Sequence, residues 1–304
     1  MPVRFAEQSA LSAGAREAPV ADPTVALTSD PPLPGQPTGA WIGLAIDGGV
    51  REGMPKLGWM LEAGPRLRWR LDDDSIEVGQ WFKGRIYERR CDLSPDGRHL
   101  IYFAMNGRWQ SRTRGSWTAI SLAPWLKALT LHAKGDCWNG GGLFLGNREY
   151  WLNGAGQHQL LQDHSGLRPA AALPFAGRYG GECPGVYYHR LQRDGWTLTR
   201  LGGDCTEFAK RVNAHWRLVK LAHATIRHPA GKGCYFDTHR LDHVRGDTRI
   251  ELPDWEWAEV DGRRLVWAAA GRLYAGRVDR NGLGSPQMLQ DFNPMRFERR
   301  LAPY

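Results

Sequence analysis

From Trp41 onward the apolar residues come in short runs separated by turn chemistry, not in long periodic stretches. His99-Leu-Ile-Tyr-Phe-Ala-Met105 is almost uniformly apolar, and Ser116-Trp-Thr-Ala-Ile-Ser121 and Leu126-Lys-Ala-Leu-Thr-Leu-His132 are further short runs with more polar residues among them. Trp257-Ala-Glu-Val-Asp-Gly-Arg-Arg-Leu-Val-Trp267 holds two such runs around an Asp-Gly pair. β-rich runs of this length, bounded by Gly, Asn and Asp, read as strands. Asp-Gly or Asn-Gly pairs stand at Asp47, Asp96, Asn106, Asn153, Asp194, Asp261 and Asn281, and such pairs tolerate the positive φ of tight hairpin turns. The pattern predicts hairpin after hairpin, an all-β chain.

One unit is clear enough to lay out strand by strand. Ile86-Tyr-Glu-Arg-Arg-Cys-Asp-Leu93 is expected as an inner strand, Ser94-Pro-Asp-Gly97 as a type I turn with Pro at its second position, and His99–Met105 as the second strand. A polar loop over 106–115 leads to a third strand at Ser116–Ser121 and a fourth at Leu126–His132. Cys91, Cys137 and Cys183 then recur at equal steps of 46 residues, a period that suits one antiparallel sheet per repeat and so a single β-propeller. Further starts fall at Cys183, near Ala222 and at Trp257. The count is five or six four-stranded blades, with five full blades preferred, over a propeller domain of residues 39–304. One stretch dissents. Asp204-Cys-Thr-Glu207 has the form of a capping box, and Phe208, Val212, Trp216 and Val219 follow at helical spacing, so a short helix near 205–214 competes with a strand at Trp216-Arg-Leu-Val-Lys-Leu221.

The stretch Asp92-Leu-Ser-Pro-Asp-Gly-Arg-His-Leu-Ile-Tyr-Phe103 resembles the repeat of TolB-type, WD-like propellers. Gly140-Gly-Gly142, Pro229-Ala-Gly231 and Val260-Asp-Gly262 shadow its turn without the full motif. The resemblance implies a propeller and no particular activity, because such repeats occur in docking proteins and in the non-catalytic gates of peptidases alike. Fold alone does not convert to function.

Composition adds an amino-terminal arm. Residues 1–38 are rich in Ala, Pro, Ser and Thr with Phe5 as the one aromatic, too little apolar surface to offset the entropy of ordering, so a flexible arm is expected. The chain lacks an apolar run long enough for a membrane span, and its amino terminus lacks the core of a signal peptide, which predicts a soluble, cytoplasmic protein. The cysteines are expected as free thiols. Net charge is +8, yet only seven of the 40 basic residues are Lys and no basic run exceeds a pair, so nucleic acid is a disfavoured partner.

Candidate chemistry is sparse. No Gly-x-Ser-x-Gly elbow or P-loop occurs, and Gly231-Lys-Gly233 lacks the latter's spacing, so no cofactor and no catalytic residue is assigned. Asp72-Asp-Asp74 reads as a solvated turn before a metal site, and His239 and His243 as surface histidines, since four residues along a strand separate them by about 13 Å. The favoured site is a partner-binding loop face. Asn106, Arg108 and Trp109 on the loop between second and third strands should share one face with Lys134, Asp136, Trp138 and Glu182 on segments leading into the next repeats. The function expected is a non-enzymatic scaffold, or an immunity or inhibitor protein, that engages a protein through this face. The rival is a carbohydrate-binding or glycoside-hydrolysing propeller using exposed Trp109 and Trp138, or Asp92, Asp136 and Glu182 as carboxylates.

Overall fold

A computed structural model describes residues 63–71, 73–175, 179, 182–225 and 234–304; the arm at 1–38, the start near Trp41, Asp72 and the Gly-Lys-Gly stretch lie outside them. The described chain is mostly β with one α-helix. β1 (Ala63–Trp69) and β2 (Ile76–Lys83) form a first hairpin. β3 (Arg85–Ile86), β4 (Asp92–Leu93), β5 (His99–Met105), β6 (Ser116–Leu122) and β7 (Thr130–Ala133) build a second sheet around β5. β8 (Gly142–Gly146) and β9 (Glu149–Leu152) begin a third. β10 (Gln159–Asp163) then crosses back to extend the second sheet beside β7, while β11 (Arg168–Pro169) pairs β9 in parallel. After α1 (Pro184–Arg193) come the five-stranded meander β12 (Thr197–Arg200), β13 (Cys205–Arg211), β14 (Trp216–Ala224), β15 (Tyr235–His243) and β16 (Arg249–Leu252), in that order. The last sheet comprises β17 (Trp257–Asp261), β18 (Arg264–Ala269), β19 (Arg272–Asp279), β20 (Gly282–Leu283) and β21 (Gln287–Asp291).

β5 falls where its apolar run predicts it. It is buried on both faces and flanked on both edges, which is why it reads as a continuous run instead of an alternation. The turn before it also forms as read: Gly97 N–H donates to the Ser94 carbonyl at 2.7 Å, Ser94 Oγ accepts from His99 N–H at 2.8 Å, and Gly97 sits at φ +66°. Nothing crowds the place a Cβ would occupy at Gly97. Gly97→Val is therefore expected to lose about 1–2 kcal/mol from left-handed backbone strain alone, read as a lowered urea midpoint; an unchanged midpoint would refute the backbone argument.

Three expectations need correction. The inner strand 86–93 is broken by a 3₁₀ turn at Glu88–Arg90, where Arg90 N–H to Tyr87 O (2.8 Å) and Cys91 N–H to Glu88 O (3.1 Å) replace ladder bonds. The 46-residue step does not mark equivalent strands: Cys91 follows this turn, Cys137 lies in a loop and Cys183 caps α1. Pro184 at the first helical position and the 184, 187, 188, 191 spacing of Pro184, Tyr187, Tyr188 and Leu191 favour a helix there. Conversely, 205–211 is a strand. Its backbone pairs on both sides with β12 and β14, and Thr206 and Phe208 bury at a period of two. The helical spacing breaks at Asn213, whose Oδ1 accepts the N–H groups of His215 and Trp216 at 2.8 and 3.0 Å and turns the chain.

Neighbouring sheets pack on one another, with α1 between the third and the fourth. Ile101 and Ile120 meet Phe144, Tyr150 and Leu152 of the third sheet. Asp92 of β4 accepts from Phe144 N–H at 2.7 Å and from both Nη atoms of Arg193 on α1 at 2.6 and 2.8 Å. The other side of α1 lays Tyr187, Tyr188 and Leu191 on Phe208, Leu218, Ala222 and Leu241. Fourth and fifth sheets share that core through Trp216, Ala258, Leu265 and Trp267. The fifth then packs on the first, with Val266, Ala268 and Leu273 against Leu67 and Trp69, and Arg264 gripping both oxygens of Asp74 at 2.7 Å. β2 of the first sheet also meets the second: Gln80 N–H donates to Pro124 O at 3.3 Å, and Phe82 stands edge-on to Trp117 at 5.7 Å. Beyond β21 the chain continues across the first two sheets, with Arg300 on Val78 O at 3.0 Å and the Tyr304 hydroxyl on Lys127 O at 2.7 Å.

Candidate functional site

Antiparallel pairing brings the two predicted loops to one end of the second sheet, because Met105 stands opposite Ser116 and Trp117 opposite Ala133. The 106–115 loop is held by its own backbone. Asn106 and Gly107 N–H both donate to Gly115 O at 3.0 and 3.2 Å, Arg108 N–H donates to Asn106 Oδ1 at 3.0 Å, and Ser111 N–H donates to Arg108 O at 2.9 Å. Ser116 Oγ donates to Asp136 O at 2.6 Å and Lys134 N–H to Ser116 O at 3.0 Å, fastening the next loop beside it.

Within that second loop Lys134 is buried, and its ammonium donates to both Asp136 oxygens at 2.6 and 2.7 Å; Asp136 also accepts Trp138 N–H at 2.9 Å. Beneath it lies Arg90, fully buried. Arg90 donates to Cys137 O at 2.8 Å, to Asn139 O, to Glu182 and, from Nε, to Cys183 Sγ at 3.3 Å, while its plane rests over Tyr87 and Phe103. The loop comes so close that a Cβ on Gly141, at φ +73°, would lie 1.9 Å from the Arg90 carbonyl oxygen. Only glycine fits such an approach.

All seven expected site residues thus fall on one connected set of loops, but with unequal roles. Trp109 and Trp138 are 50% and 63% exposed, and Arg108 is exposed. Lys134 is internal, and Asp136 and Glu182 are ion-pair partners of buried cations that set loop shape. Asp92, held by Arg193, is likewise structural. The three carboxylates considered for glycoside hydrolysis each close on a cation of the fold. Sequence reasoning missed Arg112 and Arg114, both exposed on the same loop; their spacing after Arg108 was the available signal.

A second cluster lies inside the protein, where the 3₁₀ turn, α1, β14 and β15 meet. Lys220 is 1% exposed, and its ammonium faces His239 Nε2 at 2.8 Å, Ala258 O at 3.3 Å and Asp237 at 3.6 Å. Asp237 also takes Arg89 and the Tyr187 hydroxyl. His239, likewise 1% exposed, is not the surface histidine expected. Its Nδ1 lies 2.9 Å from the Trp255 carbonyl, which can only accept, so Nδ1 carries the proton and Nε2 offers a lone pair to Lys220. Burial, then the Lys220 charge, push the imidazole down to about 3. Burial alone would raise Asp237, but Arg89 and Lys220 outweigh it and hold the carboxyl at about 2. Lys220 itself is pulled down by burial, with Asp237 and Glu259 opposing. The sequence hint was Lys220 in phase with Trp216 and Leu218 on the inward side of a strand. Every member is buried, so this cluster holds sheets together and offers no substrate a surface.

Among the described residues no group of three His, Cys, Asp or Glu is placed to hold a metal ion, and no helix is long and apolar enough to cross a membrane. Cys91, Cys137, Cys183, Cys205 and Cys234 are free thiols. No protein-family model matches the chain, and no curated protein matches it in sequence.

Proposed function

We propose that the chain is a five-bladed, TolB-like β-propeller that binds a protein partner through the loop face of Asn106, Arg108, Trp109 and Trp138, without catalysis of its own. The propeller reading is supported by the packing of neighbouring sheets, in which the third reaches the fourth through α1 and the last meets the first. One observation carries the binding reading: two half-exposed or more exposed tryptophans and an exposed arginine stand on adjoining loops whose backbones are fixed by hydrogen bonds. Trp and Arg dominate interface energetics, and rigid loops lose little entropy on binding. A cytoplasmic scaffold or inhibitor fits this description.

The double variant Arg108→Ala, Trp109→Ala tests it. Immobilised wild-type protein is expected to retain a specific partner from host extract that the variant loses, with thermal stability unchanged within about 1 kcal/mol, the range for exposed positions. Retention of the same partner by the variant would move the site elsewhere. The exposed tryptophans also favour a second reading, sugar stacking. A glycan array bound by wild type and not by Trp109→Ala, Trp138→Ala would replace the first reading with the second.

A further inference from the structure

We infer that the loop face selects an acidic partner, a protein segment rich in Asp and Glu. The inference rests on the docking-face reading and deepens it. Its physical basis is a division of charge. The acidic groups of the face are already paired: Asp136, its side chain 44% exposed, is chelated by the buried Lys134, and Glu182 is held by the buried Arg90. Among the described residues, the exposed charges of the face that lack an ion-pair partner are positive. Arg108, Arg112 and Arg114 lie within seven residues, are exposed, and have no carboxylate within ion-pair distance among the described residues. Arg112 donates to the carbonyl of Leu161 at 2.7 Å and Arg114 to the side-chain oxygen of Gln159 at 3.3 Å. Both partners are neutral, so the guanidiniums are positioned while their charge stays uncompensated.

A planar guanidinium matches a carboxylate bidentately, and like-signed fields on opposing surfaces steer partners apart, so this face favours carboxylates and rejects basic segments. Trp109 adds a fixed apolar anchor. Its ring is seated on Gly115, where a Cβ would lie 2.5 Å from Cε3, so the indole has little freedom to lose on binding. Nucleic acid fits less well. Tracking a phosphate backbone takes a stripe of cations that extends over several phosphates, whereas here the positive charge is confined to a single loop.

The test is selection from a displayed library of random peptides on the full-length protein. Clones lost when Trp109→Ala, Trp138→Ala replaces wild type define the face-dependent set. That set is expected to carry at least about twice the library's content of Asp and Glu. A synthetic representative should weaken about tenfold or more in R108Q/R112Q/R114Q, and again on raising NaCl from about 50 to 300 mM, consistent with exposed charge. It should hold within about twofold when Arg245, Arg263 and Arg280, exposed elsewhere, become Gln. Face-dependent peptides with no acidic enrichment, or affinity indifferent to the three Gln changes, would overturn the charge inference while the docking face stands. An absence of face-dependent clones would remove the docking face and this inference together. A single-stranded dT20 that binds tighter than the peptides through the same arginines would replace the acidic peptide with nucleic acid.

Discussion

Replacing Asp237 with Ala is expected to remove about 3–5 kcal/mol of stability, the usual loss when one partner of a buried ion pair is deleted. Among the described residues Asp237 is the sole carboxylate in direct contact with both Arg89 and Lys220, and it also accepts the Tyr187 hydroxyl. Arg89 keeps His223 O at 3.0 Å, and Lys220 keeps His239 and Ala258 O. Those acceptors carry no full charge, so two cations remain buried with their anion gone. Because the cluster ties the 3₁₀ turn and α1 to β14 and β15, the loss should appear as a single lowered urea midpoint. Adding Lys220→Met to Asp237→Ala should recover part of it, since the second change removes one stranded charge and supplies an apolar side chain of similar length. A loss under about 1 kcal/mol from Asp237→Ala would show that the network is not an integral part of the folded core.

Acid is expected to begin destabilising the protein near pH 6.5, above the range in which ordinary carboxylates protonate. His239 is held neutral in the fold at about 3, against 6.5 for a free imidazole. The unfolded chain therefore binds a proton that the folded chain refuses once pH drops below about 6.5. The stabilisation is complete above that pH and is lost progressively as pH falls toward 3. Geometry gives the reason: a proton on Nε2 would point at the Lys220 ammonium 2.8 Å away, while Nδ1 is committed to Trp255 O. His158, pushed down to about 4 by burial and placed 3.0 Å from Thr118 Oγ1, acts in the same direction. Asp237 adds a later loss as pH falls from 3.8 toward 2. Over the interval from pH 7 to 4 the loss should be on the order of 6 kcal/mol, about half from each imidazole, at about 1.4 kcal/mol per unit of pH for each group that the fold keeps unprotonated. Denaturation at stepped pH checks it. His239→Gln is expected to be less stable at neutral pH and to show a flatter profile; a wild-type profile flat between pH 6.5 and 4 would contradict the buried neutral imidazole.

Local chemistry set much of what was legible in advance. The apolar run His99–Met105, the Ser-Pro-Asp-Gly turn and the hairpin at Trp257–Trp267 form where the residues alone place them, because strand burial and turn geometry there are determined within a few residues. The gathering of Asn106, Trp109, Lys134, Asp136 and Trp138 at one sheet end also follows from counting strands between loops, since antiparallel pairing leaves alternate loops on the same side. What sequence could not decide was which polar groups would be occupied. Lys134 and Glu182 read as surface charges until folding put Asp136 and Arg90 beside them, and Lys220, Asp237 and Arg89 lie 17 to 148 positions apart. The helix shows the same division from the other side. Between 204 and 219 helical spacing was present and lost, because β12 and β14 offered the backbone of 205–211 partners along both edges. At 184–193 the repeat phase of Cys183 suggested a strand, yet Pro184 and the Tyr187, Tyr188 and Leu191 stripe suited a helix with a waiting apolar surface on β13 and β14. Propensity and pattern specify a segment when its partners are its neighbours; where the partner is a distant charge or a sheet edge, only the tertiary structure supplies it, because the free energy that decides comes from burial and pairing across the fold.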